Sequence, residues 1–300
     1  MATIKNYLSL IKFSHTVFAM PFALIGFFLG LTASGDPAWH TAIFPPQFDG
    51  DSLLIKFILV ILCMVFARSA AMAFNRYLDR DIDAKNPRTA MREIPKGMIT
   101  PKNALLFTIS SCLLFIACCY FINRICFYLS PVALAVVLGY SYTKRFTALS
   151  HLVLGLGLSL APIGAYLAVT GVFHWLPSLF SLAVIFWVSG FDIIYALQDV
   201  EFDRSENLYS IPASLGKSRA LRLSELLHLF SVLAIAAAGF LATFGWLYWI
   251  GAAVFTGMLI YQHSIVKPKD LRRVNLAFMT ANGIASIVFA LFVIADLFIN

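Results

Sequence analysis

Long apolar stretches separated by short polar segments fill the chain from residue 13 onward. Most are close to the 20 residues that an α-helix needs to cross a hydrocarbon core of roughly 30 Å. The predicted spans are 13–32, 53–75, 104–122, 126–142, 149–170, 176–198, 221–243, 246–263 and 274–297. An apolar chain without alternating ten-residue segments satisfies its backbone hydrogen bonds in lipid only as helices. The pattern predicts an all-α, polytopic membrane protein with nine transmembrane helices in one domain, residues 1–300.

Composition supports a lipid bilayer as the surroundings of this chain. Hydrophobic residues make up 60% of it and charged residues 12%, whereas soluble domains have about 25% charged residues. The net charge of +7 does not indicate a nucleic-acid partner, because the cations are confined to loops between apolar spans. The five cysteines form no metal-binding spacing and are expected to be small core or lipid-facing residues.

The basic residues predict the orientation in the membrane. Nearly all of the 22 Lys and Arg residues fall before span one or in the loops after the even-numbered spans. Positive charge is retained in the cytoplasm, so we expect a cytoplasmic N-terminus. Lys5 and Lys12 precede an apolar run that is too long for a usual signal peptide and contains Pro21, which favours an uncleaved first helix. The expected location is the inner or plasma membrane.

Carboxylates gather on the same cytoplasmic side, in two matching stripes. The stripes are Asn75, Asp79, Asp83 at the end of span two and Tyr195, Asp199, Asp203 at the end of span six. Residues four apart share one helix face, where like charges destabilise the helix unless a cation neutralises them. Mg²⁺ typically takes one or two carboxylates together with substrate phosphate oxygens. The two stripes therefore predict a diphosphate held between metal ions.

Basic residues in the cytoplasmic loops could complete such a site. Candidates for phosphate contacts are Arg88, Lys144, Arg145 and Lys217, because guanidinium and ammonium groups bind phosphate oxygens. Arg68 and Asp192 lie inside apolar spans, where an ionisable residue indicates function. Other charged residues are expected to be solvated or to serve topology: Asp81, Glu93, Glu201 and Glu206 among the acids, and Lys85, Arg92 and Lys96 among the bases.

These motifs resemble those of the UbiA superfamily of intramembrane prenyltransferases. Asn75-Arg-Tyr-Leu-Asp79-Arg-Asp-Ile-Asp83 resembles its first motif, NxxxDxxxD, and Asp199-Val-Glu-Phe-Asp203 its second, DxxxD. The segment from Asn86 to Gly97 and the run Tyr140-Ser-Tyr-Thr-Lys144-Arg145 are similar to two of the family's loops. One position departs from the pattern: Arg76 follows the first Asn, where many members have Asp.

The resemblance implies ligands and substrates as well as a fold. It implies Mg²⁺ at Asn75, Asp79, Asp83, Asp192, Asp199 and Asp203, and diphosphate contacts from Arg68, Arg88, Lys144 and Arg145. The segments around His15 and Asn75 are similar to the 4-hydroxybenzoate polyprenyltransferase-like branch, some of whose members serve menaquinone synthesis. The acceptor would then be an aromatic acid, with His15, Tyr140 and Tyr195 as candidate contacts.

The implied reaction is Mg²⁺-dependent transfer of a polyprenyl group to this acceptor in ubiquinone or menaquinone biosynthesis. Asp79, Asp83, Asp199 and Asp203 would bind the Mg²⁺ ions that stabilise the departing diphosphate. Asp192 would accept the released proton or act as an orienting group. A haem or chlorin acceptor and a secondary transporter for a divalent cation or organic anion are alternatives. Transporters, however, are expected to place ionisable residues near the bilayer midplane, whereas the charged residues of this chain are predicted to gather on one side of the membrane. The prenyl length, the choice between benzoate and naphthoate, and the oligomeric state are left open.

Overall fold

The computed structural model describes residues 4–11, 19–33 and 53–299, and its regular elements are helices. These are α1 (Ile4–Leu10), α2 (Met20–Ala33), α3 (Leu53–Lys85), α4 (Pro101–Ile122), α5 (Arg124–Thr143), α6 (Ser150–Thr170), α7 (Trp175–Ala196), α8 (Val200–Ser205), α9 (Ile211–Leu215), α10 (Lys217–Leu241), α11 (Trp246–Ile265) and α12 (Asn282–Ile299). A 3₁₀ turn, Leu197–Asp199, joins α7 to α8, and a π-helical segment, Leu276–Ala281, leads into α12. The all-α prediction is confirmed for these residues.

Seven helical stretches in the described ranges are long and apolar enough to cross a membrane. They are Leu53–Lys85, Pro101–Ile122, Arg124–Thr143, Ser150–Thr170, Trp175–Ser205, Lys217–Leu241 and Leu276–Ile299. Two predicted spans fall outside this set. The first coincides with α2, which has 14 described residues, and the other with α11, whose Trp, Gln and His residues lower its hydropathy. The chain is an integral membrane protein; the count of nine and the cytoplasmic N-terminus stay predictions.

An aromatic core joins α2, α7, α11 and α12. Phe22 packs against Trp187, with ring centroids 5.3 Å apart, and against Phe289, at 6.0 Å. The Trp187 indole N–H donates a hydrogen bond to Asn282 Oδ1 over 2.9 Å, so burying this polar group in the core leaves no unpaired donor. The core thus holds the N-terminal α2 against the last two long helices.

Glycines allow α6 to lie close to both α2 and α7. A Cβ atom added at Gly26 would stand 2.0 Å from the carbonyl oxygen of Pro162, and one at Gly155 would stand 2.5 Å from that of Ile185. Small residues at such crossings allow close helix packing in membranes, where the hydrophobic effect contributes little. These contacts fix the position of α6 in the bundle.

The two polar stripes lie at the ends of α3 and α7. With 33 residues, α3 is about 50 Å long and continues ten residues beyond the predicted span, carrying the first stripe with it. The second stripe is not on one uninterrupted α-helix, because the 3₁₀ turn at Leu197–Asp199 separates α7 from α8. The spacing of four predicted one continuous helix for Tyr195, Asp199 and Asp203, and the 3₁₀ turn interrupts that helix at its centre.

Candidate active site

A polar cavity of about 620 Å³ lies between the ends of α3 and α7. The predicted site residues that line it are Arg68, Asn75, Asp79, Asp83, Arg88, Tyr140, Lys144, Asp192, Tyr195, Asp199 and Asp203. Arg145 does not line the cavity but binds Asp79, which does. His15 lies outside the described residues. The structure therefore brings both carboxylate stripes and most of the predicted basic residues together at one place.

Asp79 is the most densely bonded carboxylate of the first stripe. It accepts hydrogen bonds from Lys144 Nζ at 2.5 Å, Arg145 Nη2 at 3.1 Å and Asn75 Nδ2 at 3.1 Å, and it is 1% exposed. Arg145 also donates to the carbonyl oxygens of Ser141 and Leu78. Two cations from the end of α5 thus hold one buried carboxylate of α3.

Asp83 has a partner that the sequence analysis did not select. Arg92 Nη1 contacts both carboxylate oxygens, at 2.7 and 2.8 Å, although Arg92 was expected to serve membrane topology. The expectation for Glu93 was wrong: it is 5% exposed and accepts a hydrogen bond from Ser9 Oγ at 2.5 Å. Both residues follow the end of α3, and the backbone folds this loop back over the helix, so helical spacing could not indicate either contact.

Asp199 of the second stripe is bound by the loop that follows α3. Arg88 donates from Nε at 2.9 Å and from Nη2, and Asn86 donates from Nδ2 at 3.1 Å. Arg88 Nη1 also donates to the Tyr195 hydroxyl at 2.9 Å. Burial opposes the charge of Arg88, but the bonds to Asp199 outweigh it and raise the pKa of the guanidinium above its usual value. The loop that follows α3 is thereby joined to the second stripe.

Asp192 is oriented by a histidine that the sequence analysis missed. His151 Nδ1 lies 2.7 Å from Asp192 Oδ2, and the backbone N–H of Ile211 points to His151 Nε2 over 3.4 Å. Because a backbone N–H only donates, Nε2 is the acceptor in this contact, and Nδ1 is then the atom that donates to Asp192. His151 stands on α6, 41 residues from its partner, so no sequence spacing links them.

The remaining carboxylate, Asp203, has a neutral partner. Ser210 Oγ donates to Asp203 Oδ2 at 2.8 Å and also accepts from the backbone N–H of Ala213, so that it caps α9. No cation lies within ion-pair distance of Asp203 among the residues that the structure describes. This carboxylate faces the cavity with one oxygen still available to a ligand.

The donor set suits a hard cation. In the described ranges, no three His, Cys, Asp or Glu side chains converge closely enough to form a metal site of protein ligands alone. Mg²⁺ does not require such a cage, since it usually keeps waters and substrate phosphate oxygens beside one or two carboxylates. The oxygens of Asn75, Asp79, Asp83, Asp199 and Asp203, spread around one cavity, fit that manner of binding.

An apolar cavity of about 410 Å³ joins the polar one. The residues common to both linings are Arg68, Met72, Tyr140, Leu154 and Leu158. Apart from Ser130, the rest of its wall is formed by apolar and cysteine residues, and the sulfur atoms of Cys63 and Cys119 lie 3.8 Å apart in it. Val132 and Phe173, which also line it, are 59% and 60% exposed on the outer surface of the bundle. The cavity therefore extends from the charged site toward the lipid.

A charged cavity joined to an apolar one suits an amphipathic substrate with an anionic head, and comparison with known proteins gives the family. The family model of the UbiA prenyltransferases matches residues 19–287. The chain belongs to the UbiA prenyltransferase family. The resemblance inferred from the two aspartate motifs is thereby confirmed, and the chain is a prenyltransferase.

Relatives from bacteria and archaea cover most of this UbiA-family chain. The 4-hydroxybenzoate octaprenyltransferases of Nitrosospira multiformis and Tolumonas auensis are each 30% identical to it, over 84% of this chain and 84% and 86% of theirs. A UbiA homologue from Aeropyrum pernix, solved in its apo form, superposes with a TM-score of 0.76 at 29% identity, covering 95% of this chain and 97% of its own. A homologue from Archaeoglobus fulgidus, bound to DMAPP and Mg²⁺, has the same fold, with a TM-score of 0.73 at 23% identity over 98% of this chain and all of its own.

Proposed function

We propose that this prenyltransferase transfers a polyprenyl group from polyprenyl diphosphate to an aromatic acid, a 4-hydroxybenzoate or a naphthoate, in ubiquinone or menaquinone biosynthesis, and releases diphosphate. The observation that carries the proposal is the junction at Arg68 and Tyr140, where the carboxylate-lined cavity meets the apolar one. A polyprenyl diphosphate needs such a junction because its head is charged and its tail is not. The names of the bacterial relatives support the acceptor class.

The donor would lie across the junction, with its tail among the apolar side chains and its diphosphate between the stripes. Asn75, Asp79, Asp83, Asp199 and Asp203 would hold the Mg²⁺ ions, with Asp192 beside them. Mg²⁺ would supply the positive charge that stabilises a departing diphosphate. Lys144 and Arg88 line the same cavity, and Arg68 lines both cavities, so these three would contact phosphate oxygens directly. Arg145 would act through Asp79, which it binds.

The transfer itself would be an electrophilic aromatic substitution. The allylic C–O bond breaks and its electron pair leaves with diphosphate, so the prenyl carbon becomes electrophilic. A ring carbon ortho to the acceptor's hydroxyl forms the new C–C bond and then loses its proton. Asp192, which His151 Nδ1 contacts at 2.7 Å, would take this proton. Tyr140 and Tyr195, which line the cavity, would contact the acceptor ring.

Purified protein in lipid nanodiscs would test the proposal. It would receive Mg²⁺, a radiolabelled polyprenyl diphosphate, and a panel of 4-hydroxybenzoate, hydroxynaphthoates and haem, with each product identified by mass. We expect a prenylated aromatic acid whose formation stops when EDTA removes the metal. Prenylation of haem alone would overturn the acceptor class. A folded protein without any product or diphosphate release would overturn the reaction and favour a transporter.

Orientation needs a separate experiment. We propose that the site faces the cytoplasm of a cell bounded by an inner or plasma membrane, as the distribution of basic residues predicts. A cysteine placed at exposed Met91, beside the polar cavity, would be labelled by a membrane-impermeant maleimide in inverted vesicles. Labelling in right-side-out vesicles instead would contradict the orientation.

A further inference from the structure

Arg76 carries a buried charge that none of the contacts described above uses. Its side chain belongs to α3, lines the polar cavity and is 4% exposed. The Nε and Nη1 atoms have no hydrogen-bond partner, and the nearest anion in the described ranges is Asp83, 3.9 Å from Nη1. Burying a charge is costly unless a partner compensates it. A buried guanidinium with two unbonded nitrogen atoms in the wall of a substrate cavity therefore suggests an anionic ligand.

Neither nearby carboxylate forms a hydrogen bond with this guanidinium in the described ranges. Arg92 already contacts both oxygens of Asp83. Glu93 receives its hydrogen bond from Ser9 and has no ion pair within 4 Å in the part of the chain that the structure describes. The Nε and Nη1 atoms of Arg76 are thus not bonded by the carboxylates of this wall, although Asp83 and Glu93 lie near enough to stabilise its charge.

The position of Arg76 in the cavity differs from that of Arg68, whose Nε atom also has no hydrogen-bond partner. Arg68 lines both cavities, whereas Arg76 lines only the polar one. The diphosphate of the donor is attached to the tail and must therefore lie at the junction, next to Arg68. An aromatic acid has no such tail, so its ring can meet the prenyl carbon near the junction while its carboxylate lies deeper in the polar cavity, which Arg76 lines.

We propose that Arg76 binds the carboxylate of the acceptor and so selects aromatic acids over neutral phenols. The inference rests on the proposed function and adds to it the residue that recognises the acid. A guanidinium forms two parallel hydrogen bonds with a carboxylate, and hydrogen bonds to charged groups contribute more to binding than neutral ones. The acceptor then completes the partnership that Arg76 lacks within the chain.

Paired acceptors that differ only in charge test this role. Initial rates would be measured for 4-hydroxybenzoate and a hydroxynaphthoate, each beside its methyl ester, with wild type, Arg76→Gln and Arg76→Lys. We expect Arg76→Gln to raise KM for the acid about 10- to 100-fold, to change KM for the ester less than threefold, and to leave KM for the prenyl diphosphate unchanged. Arg76→Lys keeps the charge and should recover part of the preference for the acid.

Arg80→Gln is the matched control. Arg80 lies one turn further along α3, contacts the carbonyl oxygen of Tyr77 at 2.8 Å and lies outside the lining of the polar cavity, so its loss should leave the acid-to-ester ratio unchanged. A thermal melt of each variant shows that it is folded, and Arg76→Lys serves if the glutamine variant is not.

Three results would overturn the inference. They are equal losses for acid and ester, a raised KM for the prenyl diphosphate in place of the acid, or a wild type that does not distinguish acid from ester. A wild type that prenylates no acid at all would instead overturn the proposed function. The two failures are therefore distinguishable in one set of assays.

Discussion

Replacing Asp79 by Asn separates the structural from the chemical role of the first stripe. The change keeps the shape of the side chain and removes one negative charge from between Lys144 and Arg145. Removing one partner of a buried ion pair costs about 3–5 kcal/mol. The side chains of Lys144 and Arg145 are 29% and 32% exposed, so solvent screens the stranded charges and we expect a loss of about 1–3 kcal/mol.

For a chain of this size, that loss corresponds to a decrease in Tm of roughly 2–6 °C, measured by tryptophan fluorescence in detergent. Prenyl transfer should fall at least about 100-fold, because the transition state loses an electrostatic group. A second variant, Asp79→Asn combined with Lys144→Met, removes one stranded cation and should recover part of the Tm while activity stays lost. Asp81→Asn is the control, since the Asp81 side chain is 83% exposed.

Two results would refute the reasoning. If Asp79→Asn retained more than a tenth of the wild-type rate, Asp79 would not be a metal ligand or a catalytic group. If the double variant melted lower than Asp79→Asn, the loss of stability would not come from unpaired cations. Equal effects of Asp81→Asn and Asp79→Asn would show that charge near the membrane surface, and not the buried contact, determines both readouts.

Three further changes test the packing, the tail cavity and the Asp192 partner. Gly26→Ala should lower the free energy of unfolding by about 1–3 kcal/mol, because the added Cβ would meet the Pro162 carbonyl. Gly164→Ala is the control in the same denaturation assay: Gly164 has open space around it, so the free energy of unfolding should change little. Gly164→Leu adds four carbons inside the apolar cavity, and product mass analysis should show a shorter preferred prenyl chain; an unchanged chain-length profile would place the tail elsewhere. His151→Leu should lower kcat about 10- to 100-fold, because one charge-assisted hydrogen bond is lost, and KM for both substrates should stay nearly constant. His151→Asn should recover part of the rate. A change confined to KM would contradict a positioning role.

The helices and the two stripes were predictable because both depend on local sequence. Apolar runs of membrane-spanning length predicted the all-α class, and the ends of spans two and six placed Asp79 and Asp199 at matching helix ends. The 3₁₀ turn at Leu197–Asp199 was not predictable, because the spacing of the carboxylates along the sequence does not distinguish such a turn from a continuous α-helix. The marginal hydropathy of α11 shows that a helix in this bundle can fall short of the composition typical of a lipid-exposed span.

The partners of the carboxylates were only partly predictable. Lys144 and Arg88 were selected because they lie in loops on the same side as the stripes, and both contact carboxylates in the structure. Arg92, Glu93 and His151 were missed, since their contacts depend on how the loop after α3 folds and on which face of α6 meets α7. A charge pattern shows on which side of the membrane a residue lies; it does not show whether the residue is buried.

The charges around the polar cavity explain why donor and acceptor would need different counter-charges. Six carboxylates and five cations line it: Asp79, Asp83, Glu93, Asp192, Asp199 and Asp203, with Arg68, Arg76, Arg88, Arg92 and Lys144. Most of these cations are already bound to carboxylates, so the wall has no surplus positive charge for a diphosphate. Divalent ions entering with the donor would supply it, which is why EDTA should stop the reaction. An aromatic acid carries one charge and brings no metal, so its recognition would depend on guanidinium nitrogen atoms that the wall leaves without a hydrogen bond, such as Nε and Nη1 of Arg76.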